Sequence, residues 1–344
     1  MMQRVYSFSF VWLLGISLWL AGCTPETQLP QEQVLQGSTM GTTYSVKFFS
    51  DLPVDQQRLQ QQMEQELELI NDLMSTYRPT SELMRFNQQQ TTEPFTLSEQ
   101  TAKVIAEAIR IGLQTDGVLD ITVGPLVEKW GFGANGRITE RPAPEALNAL
   151  QDFVGLDKIS LSQQHLTKKD SRVALDLSTI AKGYGVDRLA EILVANHVTD
   201  YLVDIGGEMR VSGSKPGREW RVAIEKPVAG QRALQRVLRP GNMAVATSGD
   251  YRNYFEQDGV RYSHLIDPRT AEPIAHRTVS STVIHPSSMT ADGYATALHI
   301  MSAEEALQFA NQHQLAALII VKTDEGFTEW VSDAFKPYLV DEER

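Results

Sequence analysis

Met289-Thr290-Ala291-Asp292-Gly293-Tyr294-Ala295-Thr296-Ala297-Leu298-His299-Ile300-Met301 is the stretch on which the fold turns. Its Ala, Leu and Met content predicts a helix, and on a helix Asp292 and Thr296 stand on one face. Tyr294, Ala297, Leu298 and Met301 occupy much of the remaining surface. A carboxylate and a hydroxyl therefore emerge together from a helix that is otherwise largely buried. A buried Asp needs a partner, and an oxygen-only pair suits a hard cation such as Mg²⁺. A helix start capped by Thr290 or Asp292 accounts for the same residues without a metal. Both alternatives stand on this stretch alone.

Outward from it, helical and extended patterns follow one another irregularly. Leu59, Met63, Leu67, Ile70 and Met74 mark one face of an amphipathic helix from Gln56 to Ser75. A second helix is expected from Ser98, as cap, to Gln114, with Val104, Ile105, Ala108 and Ile111 inward. Acids and glycines between Asp116 and Gly133 predict loop backbone, and the Pro-, Arg- and Glu-rich segment 137–147 predicts weak structure. Gly37 to Thr42 reads as a flexed loop entering a strand from Thr43 to Phe48.

Beyond it strands dominate. Val173–Leu177 is expected as a strand edge, Ile180–Asn196 as a helix, and Tyr201–Ile205 as a strand entering Gly206-Gly207. Further strands are predicted over 208–213, 220–225, 243–247, 261–267, 278–284, 317–322 and 328–331, with a helix over 304–314. The order is mixed, so the fold class is α+β, a strand-rich body with a smaller helical lobe, in place of a regular βαβ alternation.

The first residues concern location. Arg4 precedes an apolar run, Phe10 to Leu20, that has the form of a secretory h-region. It ends in Leu20-Ala21-Gly22-Cys23, a lipobox whose cysteine thiol receives diacylglycerol before cleavage. Residues 1–22 are thus expected to be a lipoprotein signal peptide, Cys23 the lipidation site, 23–36 a lipid-anchored tether, and 37–344 the folded domain. Such an anchor holds a protein at a membrane surface. Cys23 is the single cysteine, which leaves none for a disulfide, a thiolate nucleophile or a Cys-based metal site. A net charge of −12 argues against nucleic acid as a partner. It leaves room for an anionic ligand held by a glycine-rich loop or a metal.

Four stretches are able to carry chemistry. Asp176-Leu177-Ser178-Thr179-Ile180-Ala181-Lys182-Gly183-Tyr184-Gly185 places an acid before a helix N-terminus, which suits a phosphate or a carbonyl-bound metal, or is simply a capped helix with a solvated Lys. Asp204-Ile205-Gly206-Gly207-Glu208 permits close approach of a ligand, or makes a turn. His264-Leu265-Ile266-Asp267-Pro268-Arg269-Thr270 ends a strand with an imidazole on the side of Ile266. His264 is a candidate general base, or merely a hydrogen-bonded strand-end histidine. The fourth is the helix of Asp292 and Thr296.

Taken together and in order, the lipobox, G-S-T-M-G-T from Gly37, D-I-T-V-G-P-L from Asp120, D-L-S-T-I-A-K-G-Y from Asp176, D-I-G-G-E from Asp204, A-T-S-G-D-Y-R from Ala246, H-L-I-D-P-R-T from His264 and A-D-G-Y-A-T-A-L from Ala291 resemble the FAD:protein FMN transferase family, also called the ApbE family. The resemblance implies an α+β fold with flavin bound between the strand-rich body and the helical lobe. It implies an enzyme that takes FAD as substrate with Mg²⁺, joins FMN through its phosphate to a Thr or Ser hydroxyl of a target protein, and releases AMP. Targets in the family are periplasm-facing subunits of membrane redox complexes, and some members instead hydrolyse FAD to FMN and AMP. The implied location is the bacterial cell envelope, lipid-anchored on the periplasmic face, with the inner membrane favoured.

Carried over by position, the resemblance implies FAD contacts at Met40, Tyr77, Val118, Leu119, Asp120, Asp176, Lys182 and Ile266. It implies metal ligands in the Thr179 main-chain oxygen and the Asp292 and Thr296 side chains, and a catalytic histidine in His264. A Mg²⁺-dependent FAD pyrophosphatase and a lipid-anchored flavin-binding protein without turnover are the alternatives.

Overall fold

The computed structural model describes residues 30–136, 138, 140–227, 234–250, 254–257 and 260–340. The expected signal peptide, Cys23 and the first half of the tether, through residue 29, lie outside the described residues.

One eight-stranded sheet organises the chain. Its strands are β1 Gln33–Thr39, β2 Thr42–Phe49, β3 Asp200–Ile205, β4 Glu208–Ser212, β5 Ala244–Gly249, β6 Thr278–His285, β7 Ala316–Thr323 and β8 Gly326–Val331. They lie side by side in chain order, and every pairing is antiparallel. Antiparallel neighbours need no crossover helix. The helices therefore enter as insertions: α1 Gln56–Met74, α2 Glu99–Gln114 and α3 Ala181–Ala195 between β2 and β3, α4 Ser288–Ile300 and α5 Ala303–Gln312 between β6 and β7. This is the α+β class that the mixed order of elements predicts.

Strand alternation sorts the two faces. On β7, Ala317 and Ile319 enter the core beneath the helices, while Leu318 and Ile320 enter the core on the other face with Trp220 and Phe335. β6 is buried along almost its whole length, as a central strand covered on both sides must be. All 13 residues of α4 are buried, so the stretch that carries Asp292 and Thr296 is the central helix of the fold. It packs on β5 and β6, with α2 and α3 beside it. α1 buries Leu59, Met63, Leu67, Ile70 and Met74, and α2 starts at its Ser98 cap, both as the periodicity predicts.

Several expectations need correction. Among the described residues the first strand starts at Gln33, ahead of the expected Gly37: β1 pairs along β2 and buries Leu35, an edge strand whose polar outward residues look like linker. Val173–Leu177 joins no sheet. The Asn87 side chain serves it instead, donating to Leu175 O at 2.9 Å and accepting from Leu175 N–H at 2.8 Å. Asp116 and Gly117 do adopt positive φ (53° and 79°), but Gly124–Lys129 is a short helix with proline in its first turn. The segment expected to be weakly structured holds the start of another helix, Pro144–Gln151, again with proline leading. The strand predicted over 261–267 is broken into Val260–Ser263 and Ile266–Asp267, with His264 in the bend between them. Among the described residues no helix is long and apolar enough to cross a membrane.

Candidate active site

A cleft of about 360 Å³ opens where the N-termini of α3 and α4 approach the β3–β4 turn and the end of β5. From the α3 side come Asp176, Thr179 and Lys182; from α4 come Asp292 and Thr296. The helical insertion contributes Tyr77 at the mouth and Val118, Leu119 and Asp120 on the wall, and the segment before β6 contributes His264 and Ile266. Residues far apart in sequence are thus brought to one cavity. Met40 is the exception. It sits in the β1–β2 turn at φ 48° and packs between two cores over Gly185, and it is not among the residues lining the cleft.

The loop residues are held by their own hydrogen bonds. Asp120 accepts from Thr122 N–H at 2.7 Å and Thr122 Oγ1 at 2.6 Å, while burial pushes its carboxyl up. Asp176 accepts from Ser178 N–H at 2.8 Å, and burial raises it too. Tyr77 is 67% exposed, with its hydroxyl 3.5 Å from Phe132 O. The Phe132 ring meets His264 edge-on at 6.3 Å between centroids.

At the floor, Lys182 Nζ pairs with Glu208 Oε1 at 2.5 Å. Burial opposes charge on the lysine, but Glu208 and Asp292 outweigh it and hold the ammonium above its usual range. Burial pushes Glu208 up to about 7 against the pull of Lys182, and it raises Asp292 in the same way. A cation bound beside them would favour the ionised form of both carboxyl groups, which burial otherwise resists. Sequence reasoning assigned no role to Glu208. Its signal was the double glycine before it: Gly206 and Gly207 at φ 63° and 107° make the tight turn that sets Glu208 into the floor.

The question of caps is answered by geometry. Ser287 caps α4, accepting from Thr290 N–H at 3.3 Å, so neither Thr290 nor Asp292 does. Asp292 instead accepts from Gly183 N–H of α3 at 2.9 Å through Oδ2. That N–H is the one that would otherwise close a helical turn on Thr179 O. Among the described residues no backbone N–H bonds to that oxygen. The Thr179 hydroxyl is also buried without a partner. A carboxylate, a hydroxyl and an unclaimed carbonyl fit a hard cation. Among the described residues no cluster of three or more His, Cys, Asp or Glu side chains offers an alternative centre.

Gly183 is what lets the helices meet. A Cβ there would collide with the Ser288 carbonyl and lie 2.8 Å from Asp292 Cβ. Gly183→Ala is expected to cost about 1–3 kcal/mol in denaturant unfolding, the usual penalty for overpacking. A stability within 0.5 kcal/mol of the parent, roughly the scatter at an ordinary surface position, would show that the contact is not tight.

Behind the cleft wall His299 is fully buried, and its Nδ1–H donates to the carbonyl of Ser248, a cleft residue, at 2.9 Å. Burial, with His276 nearby, lowers its pKa to about 4. The unfolded chain then binds a proton that the fold refuses, so stability falls as pH drops from roughly 6.5 toward 4. Between about pH 7 and 5 the loss from this group is about 2 kcal/mol. Unfolding curves should show that slope in the parent and a shallower one in His299→Gln.

The family model of the ApbE family matches residues 40–319. The "FAD:protein FMN transferase" of Vibrio cholerae is 50% identical over 333 residues, 95% of this chain and 98% of that protein. Among solved structures, "Flavin Transferase ApbE from Vibrio cholerae" superposes with a TM-score of 0.85 at 48% identity, covering 90% of this chain and 100% of that one. The apo flavinyl transferase ApbE of Pseudomonas stutzeri gives 0.85 at 35% identity, over 91% and 98%. The family model runs from the β1–β2 turn into β7 and takes in every residue that lines the cleft, and the chain belongs to the ApbE family.

Proposed function

We propose that this protein transfers the FMN moiety of FAD to a Thr or Ser hydroxyl of an acceptor protein and releases AMP. What carries the proposal is the meeting, in one cleft of an ApbE-family fold, of Asp176, Thr179, Lys182, His264, Asp292 and Thr296. The apolar wall of Val118, Leu119 and Ile266 suits a flavin ring, and the Lys182 ammonium suits its pyrophosphate. The acceptor oxygen attacks the FMN phosphorus, the bond to the AMP phosphate oxygen breaks, and the hydroxyl proton passes to His264. Asp292, Thr296 and the Thr179 carbonyl would hold Mg²⁺, which when bound supplies charge neutralisation at the pyrophosphate.

The location belongs to the same proposal. Lipidation at Cys23 would tether the domain to the periplasmic face of the envelope, within reach of a membrane redox subunit as acceptor. Water in place of the acceptor hydroxyl would make the protein an FAD pyrophosphatase. Incubation with FAD and Mg²⁺, with and without acceptor, separates these outcomes. AMP released only with acceptor supports transfer, equal release in both supports hydrolysis, and none supports a flavin-binding protein without turnover.

A further inference from the structure

Asp187 lies on α3 one helical turn beyond Gly183, outside the cleft lining, and is almost fully buried. Its carboxylate does not serve its own helix. Oδ1 accepts from Ser288 N–H at 3.0 Å, and Oδ2 accepts from Met289 N–H at 3.1 Å and from Ser287 Oγ at 2.7 Å. These are the first donors of α4, where a negative charge also meets the positive end of the helix dipole. Arg210 on β4 closes the arrangement, 2.5 Å from Oδ1.

The capping is reciprocal. α3 has no side-chain cap at its own Ile180, and Asp292 of α4 supplies one at Gly183 N–H. Asp187 of α3 supplies two more for α4, at Ser288 and Met289 N–H, beside the Ser287 cap on Thr290 N–H. The two helices are therefore clamped at both N-termini by carboxylates from each other. Together the two contacts fix how far Asp292 and Thr296 stand from Thr179.

We propose that Asp187 is a positioning residue for the split cation site, acting by setting the register of α4 against α3. The proposal rests on the assignment of Thr179, Asp292 and Thr296 as cation ligands. Removing Asp187 leaves every ligand in the chain but frees the register between them, so the loss falls on cation affinity before it falls on flavin contacts.

The test is titration calorimetry of Mg²⁺ into the full chain, for the parent, Asp187→Asn and Asp187→Ala, with thermal unfolding of each in metal-free buffer. Asn keeps the shape and one of the two acceptor oxygens but sets an NH2 donor where the other oxygen accepted, so its Kd for Mg²⁺ should rise a few-fold, and that of Ala at least tenfold. Both variants should still give cooperative unfolding above the titration temperature. Unchanged Kd in a folded Asp187→Ala would overturn the proposal, even if its Tm has fallen, because a merely structural residue moves Tm alone. Should Asp187→Ala not fold, Asp187→Asn decides by the same criterion. A parent that binds no Mg²⁺ would overturn the ligand assignment and this proposal with it, a result distinct from binding that ignores Asp187.

Discussion

Asp292→Ala is expected to lower FMN transfer by at least about 10³-fold, the several kcal/mol that a correctly placed cation supplies to a phosphoryl transfer. The variant loses two things at once, a cation ligand and the acceptor for Gly183 N–H. Asp292→Asn separates them. Its amide oxygen can still accept from Gly183, so the packing of α3 on α4 persists, while the charge that binds the cation is gone. Both variants should unfold cooperatively, with Ala the less stable by about 1 kcal/mol, as for a lost helix cap. Full retention of transfer by Asp292→Ala at the Mg²⁺ concentration that just saturates the parent would rule out the ligand assignment.

His264→Ala is the second large effect. A positioned general base contributes on the order of 10²–10⁴-fold, and the ring touches the cleft from a bend outside the helices that make the cation floor. Transfer should slow by that amount while FAD affinity, followed by flavin fluorescence, changes by less than about threefold, under 1 kcal/mol. If affinity falls more than the rate, His264 holds FAD and another group takes the proton.

How much of this was legible in the sequence depends on whether a signal was local. The faces of α1 and α2 are periodic, and their caps stand beside them, so both helices follow from their own residues. The pairing of Asp292 with Thr296 follows from helical spacing in the same way. What local spacing leaves out are bonds made across the chain. Val173–Leu177 has strand composition, but Leu175 bonds to the Asn87 side chain and Asp176 N–H to Ile121 O, partners far away in sequence. Asp187 looks like an ordinary helix residue until it is seen accepting from the first N–H groups of α4. Glu208 becomes part of the floor only because β3 and β4 turn on two glycines beneath Lys182. Met40 shows the opposite case, a motif residue whose half-buried side chain packs against two cores over Gly185 and is not among the residues lining the cleft.

The most direct test of the account is mass spectrometry of an acceptor protein bearing a Thr or Ser flavinylation site, after incubation with this protein, FAD and Mg²⁺. The account predicts an acceptor heavier by FMN less one water, with AMP released in equal amount and neither product formed by Asp292→Ala. An unmodified acceptor beside free FMN and AMP would contradict it.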